Sequence, residues 1–71
     1  MKRIPVTSSD IASIGYDDDS STLEIEFHSG NNIYQYYGVP KFEYDGIMNA
    51  SSHGKYLNQN IKNKYKYEKI S

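Results

Sequence analysis

The chain has 71 residues, no cysteine and a formal net charge of −1, so it has room for one small core and lacks the domain-wide basic excess of a dedicated DNA binder. Absent cysteine removes disulfides, zinc–thiolate sites and thiol nucleophiles, and no apolar run approaches the roughly 18 residues that span a bilayer. One domain over residues 1–71 is expected, cytoplasmic and not membrane-bound, with a core from about residue 6 to residue 65.

Ile11 to Tyr16 reads as a first strand, and Asp17-Asp18-Asp19-Ser20-Ser21 as a turn whose short polar side chains bond to nearby backbone. Thr22 to Phe27 alternates strictly, with Leu23, Ile25 and Phe27 on one face and Glu24 and Glu26 on the other. Such alternation marks a half-buried antiparallel strand. His28-Ser29-Gly30-Asn31 reads as a hairpin turn and Asn32 to Val39 as the third strand. Pro40 suits the start of a helix over Lys41 to Ala50, where Tyr44, Ile47 and Met48 fall at helical spacing and Gly46 weakens the pattern. Ser51-Ser52 breaks that helix and offers an N-cap to a second one. This runs from His53 to about Tyr65, with Leu57, Ile61 and Tyr65 as its apolar stripe. Residues 66–70 fit a helix extension, an edge strand or a frayed end. The expected fold is α+β: a three-stranded antiparallel β-meander followed by two short helices packed on one face. The expected core is Leu23, Ile25, Phe27, Tyr36, Ile47, Leu57 and Ile61.

The stretch Ile33-Tyr34-Gln35-Tyr36-Tyr37 puts two rings on one face of a strand and the third on the other. A two-residue turn at Ser29-Gly30 pairs Ile25 with Tyr34 and Leu23 with Tyr36, whereas one at Gly30-Asn31 pairs Phe27 with Tyr34 and Ile25 with Tyr36; both direct the two rings inward and leave Tyr37 with the glutamates. A three-residue loop reverses the assignment. Inward tyrosines belong to the core with hydroxyls at its rim, where Gly38 would let a helix approach; outward ones would form a stacking platform for a base.

Charge is uneven: residues 1–52 hold three basic and eight acidic side chains, whereas residues 53–71 hold five lysines and one glutamate. A second helix capped by Ser52 would leave the N–H groups of His53, Gly54 and Lys55 at a positive dipole end that accepts phosphate. Lys55, Asn58, Lys62 and Lys66 would continue that site along one stripe, suited to an RNA backbone or a nucleotide. The competing description is an ordinary solvated helix face with an ordinary cap. Asp17-Asp18-Asp19 lacks the spaced ligands of a calcium loop, and His28 and His53 read as solvated histidines. No Ser-His-Asp arrangement, phosphate-binding loop or dinucleotide fingerprint stands out, so no catalytic residue, metal or cofactor is expected.

Ser8-Ser9, Gly15-Tyr16, Tyr34-x-Tyr36, Val39-Pro40, Ala50-x-Ser52-x-Gly54-Lys55-Tyr56 and Asn58-x-x-Ile61, in that order and spacing, resemble the KTSC domain. That family is named after the C-terminus of certain lysyl-tRNA synthetases and also occurs as a free-standing small bacterial protein. Leu57 stands where the family often has Phe. The resemblance implies RNA binding. Tyr, Ile, Lys and Asn, all with AT-rich codons, point to a low-GC bacterial or phage genome. Three functions remain open: an RNA-binding domain, a pocket for a free nucleotide, and a protein-interaction module acting as monomer or small homo-oligomer through the face around Tyr37 and Ile33 or a sheet edge.

Overall fold

A computed structural model describes residues 1–30 and 32–71. The strands are β1 (Arg3–Pro5), β2 (Ile11–Asp17), β3 (Thr22–Phe27), β4 (Asn32–Tyr36) and β5 (Tyr67–Lys69); α1 (Lys41–Asn49) and α2 (His53–Tyr56) lie between β4 and β5. Among the described residues the five strands form one antiparallel sheet in the order β1-β2-β3-β4-β5. The sheet is thus wider than the expected meander by one short strand at each edge. Proline at position 5 argues against a central strand but is tolerated at an edge, which is where β1 lies. The undecided tail resolves as the opposite edge.

The β3–β4 register pairs Ile25 with Tyr34 and Leu23 with Tyr36, as the Ser29-Gly30 turn requires. Asn31, expected within that turn, lies outside the described residues. Asp17 closes the β2–β3 hairpin as expected: its carboxylate accepts from the Asp19 N–H at 3.2 Å and the Ser20 hydroxyl at 2.8 Å. Ile11, Ile14, Leu23, Ile25, Tyr36, Val39, Ile47, Leu57 and Ile61 are buried together between sheet and helices. Each such side chain removed from water contributes about 1.5–3 kcal/mol. Phe27, expected in the core, packs at its margin, because β3 runs out from under the helices at that end. Gly38 meets nothing within 4 Å; its positive φ of 67° turns the chain out of β4, so close helix approach is not its role.

α1 starts after Pro40, whose carbonyl accepts from the Glu43 N–H at 3.0 Å, and it ends before Ser51-Ser52 as the sequence indicates. The second helix is shorter and less regular than expected. Beyond Tyr56 it opens into a π-turn over Leu57–Ile61, closed by a 2.8 Å bond from the Lys62 N–H to the Leu57 carbonyl. Leu57 and Ile61 are both still buried. Residues 62–65 then turn the chain back to the sheet, and the Tyr37 N–H bonds the Lys66 carbonyl at 2.8 Å to start β5.

Candidate nucleic-acid interface

Alternation along β4 and β5 places Tyr34, Tyr36 and Tyr67 on the helix side of the sheet, with Tyr36 opposite Tyr67 and Tyr34 opposite Lys69. α1 packs over β2, where Tyr44 stacks on Tyr16 at 5.2 Å between ring centroids, so the β4–β5 margin stays uncovered. A groove of about 420 Å³ remains there, lined by Phe27, Asn32, Tyr34, Tyr36, Lys62 and Tyr67. Its rings touch one another: Tyr36–Tyr67 centroids are 5.6 Å apart, Tyr34–Tyr67 5.8 Å, and Phe27 meets Tyr34 edge-on at 5.7 Å.

Tyr36 forms the floor. It is 3% exposed as a whole, and its hydroxyl, which hydrogen-bonds no described residue, keeps its access to solvent at the groove. Burial, reinforced by the neighbouring phenols of Tyr34 and Tyr67, pushes its pKa up to about 12, so the group is a neutral O–H that can donate or accept. Tyr67, 55% exposed, forms an outer wall. Lys62 supplies the cation.

The residues singled out in the sequence therefore divide among three places. Lys62, Tyr34 and Tyr36 meet in the groove, and Lys66 precedes its wall residue Tyr67. Tyr37 points through the other face, where its hydroxyl donates to the Glu68 carboxylate at 2.8 Å and lies 3.2 Å from the Gln35 side-chain oxygen. That face is a polar ladder: the Arg3 guanidinium crosses Gly15 to bond Glu24, Gln35 donates to Glu24 at 2.8 Å, and Ser13 donates to Glu26 at 2.7 Å. A side chain at position 15 would close that path, its Cβ falling 3.0 Å from Arg3 Cγ and 2.8 Å from the Lys2 carbonyl.

Ser52, His53, Gly54, Lys55 and Asn58 stay at the other end of α2. Ser52 Oγ caps the helix by accepting from the Lys55 N–H at 3.2 Å. Gly54 is buried against Asp10, whose carboxylate oxygen would lie 3.1 Å from a Cβ there. That carboxylate is an anion supplied by the chain itself, and it repels an incoming phosphate. Lys55 borders a shallow cleft with Tyr56 and Gln59, and Asn58 is exposed. The histidines are not simply solvated: Nδ1 of His53 donates to the Ile47 carbonyl at 2.7 Å, fastening α2 to the end of α1, and Nε2 of His28 lies 2.9 Å from the Ser8 carbonyl. Among the described residues no group of three His, Asp or Glu is arranged to hold a metal, and no helix is long and apolar enough to cross a membrane.

Two features escaped sequence reasoning. Tyr67 lies in a three-residue strand, too short to show alternation. Glu43, in the first turn of α1, is 2% exposed and accepts from Tyr56 Oη at 2.7 Å, Tyr65 Oη at 3.0 Å and Lys64 Nζ at 3.3 Å. Burial alone would raise its pKa, but the three donors outweigh it and hold the carboxyl below its ordinary value. The cluster ties α1 to the turn that carries Lys62 and leads into β5.

A model of the KTSC domain matches residues 7–65. An "uncharacterized protein" of Stutzerimonas stutzeri (strain A1501) is 39% identical over 71 residues, which are 99% of each chain. A lysine–tRNA ligase of Nostoc punctiforme is 40% identical over 61 residues, 86% of this chain and 11% of the ligase. The crystal structure of a KTSC domain protein from Yersinia pestis matches with a TM-score of 0.94 at 44% identity, covering 99% of this chain and 97% of that one. With the family model spanning most of the sequence and the whole fold shared at that identity, the chain belongs to the KTSC domain family.

Proposed function

We propose that the tyrosine groove binds a nucleotide unit of single-stranded RNA, and that the protein is a non-catalytic, cytoplasmic RNA-binding domain. The observation that carries this reading is the groove itself, where the Tyr36 hydroxyl, free of partners among the described residues and open to solvent, sits among aromatic walls beside Lys62. That hydroxyl can donate to or accept from a base edge or a ribose entering the groove. The exposed face of Tyr67 offers stacking that tolerates any base, and Lys62 meets the adjoining phosphate. A segment related to most of this chain forms part of a lysine–tRNA ligase, which fits a domain that meets RNA.

The test is fluorescence anisotropy with labelled single-stranded RNA at two salt concentrations. The parent should bind with steep salt dependence, and Lys62→Ala should lower the log–log slope by about 0.7, the value for one phosphate on a single strand. Tyr36→Phe should keep the fold and weaken binding at both salts. Absence of parent binding at low salt, or equal binding by parent and both variants, refutes the reading. A protein partner retained equally at both salts would put an interaction module in its place.

A further inference from the structure

We infer that an RNA strand crosses Tyr67, with one nucleotide in the tyrosine groove and the next in a second groove beyond that ring. The inference rests on the RNA reading above and adds the class of ligand, an oligonucleotide of two or more units in preference to a free nucleotide.

The second groove, shallower and more open than the first, is lined by Asn63, Lys64, Tyr65, Lys66 and Tyr67. Tyr67 is the wall common to both. The β4–β5 pairing holds this wall, because Tyr67 sits opposite Tyr36 and the Tyr37 N–H bonds the Lys66 carbonyl. A ring fixed between two grooves offers a stacking surface to each side.

The cations divide in the same way. Lys64 is committed to Glu43, as is the Tyr65 hydroxyl, and the Lys64 ammonium lies 5.6 Å from the Tyr65 ring centroid, so these two residues form a fixed side of the second groove. Among the described residues Lys62 and Lys66 pair with no carboxylate. Each groove thus has an aromatic wall and one uncommitted lysine. That repeat matches the base-and-phosphate repeat of a single strand. A mononucleotide can occupy one half of it.

Calorimetric titration of the whole chain with 5′-AMP, ADP and the dinucleotide pApA at low salt tests the footprint. ADP adds charge without a second base. The dinucleotide should bind about tenfold more tightly than either mononucleotide, the gain from one further stacked base. Lys66→Ala should lose several-fold more affinity for pApA than for 5′-AMP. Equal binding of ADP and pApA, or equal losses for both probes in Lys66→Ala, overturns the two-groove footprint while leaving the single-groove reading intact. No binding by any probe overturns both.

Discussion

Replacing Gly46 by alanine reads out the Glu43 cluster with a sign that distinguishes two explanations. In an ordinary helix interior the change stabilises by about 0.8–1 kcal/mol, because alanine is the better helix former. Here a Cβ would lie 2.6 Å from Tyr56 Cζ and closer still to its hydroxyl, so the ring must move. Displacement removes the 2.7 Å bond to Glu43 and leaves a buried carboxylate short of one donor. A hydrogen bond to a charged group contributes about 1.5–3 kcal/mol, and overpacking costs about 1–3 kcal/mol more. Setting these against the propensity gain gives a net destabilisation of about 1.5–5 kcal/mol, or a Tm drop of at least about 6 °C in a domain of this size. Urea titration should show a lower midpoint at unchanged slope. In a Tyr56→Ala background the same substitution has no ring to displace and should be neutral or mildly stabilising. If Gly46→Ala stabilises the parent, Tyr56 does not reach Glu43 across that glycine.

Ile61→Ala, which opens a cavity beneath the π-turn, should cost about 2–5 kcal/mol by chemical denaturation; a variant that melts like the parent would move that turn out of the core. The pH dependence of folding should carry the mark of Glu43. Its carboxyl is held below the ordinary 4.5, so the folded state binds that proton less readily than the unfolded chain. The stability it contributes is present above pH 4.5 and is lost as pH falls through the lowered folded value. Glu43→Gln should flatten that acid limb, and an unchanged limb would assign it to other carboxylates.

The sequence exposed those features whose signal is local. Strict alternation in Thr22–Phe27 and a two-residue turn, at Ser29-Gly30 or at Gly30-Asn31, set the inward pair Tyr34 and Tyr36 and the outward Tyr37, and the structure adopts the register of the first turn. β1 escaped, and β5 stayed one of three readings of the tail, because three residues hold barely one period of a two-residue repeat. The stripe of Lys55, Asn58, Lys62 and Lys66 assumed one helix through all four positions. The π-turn and the bend after Ile61 separate the last two lysines from the first pair and carry them to the tyrosines. Glu43 gave no sign at all: a glutamate in a first helical turn is where the helix dipole favours an exposed acid. Its partners are 13, 21 and 22 residues away, and nothing in the intervening sequence predicts that they converge on it.

The ladder of Glu24, Glu26 and Glu68, only partly offset by Arg3 set among them, lies on one face of the sheet, while Lys62 and the Lys69 position lie toward the other. A molecule of net charge −1 arranged this way behaves in an external field as a dipole rather than as a weak anion. Near a polyanion it turns its glutamates outward before contact, and within a Debye length of the surface this torque acts although the net force is small. On an ion-exchange column its retention should follow the near face instead of the total charge. A sulfonate or phosphate matrix at neutral pH and low salt should retain the protein, and moderate salt should release it.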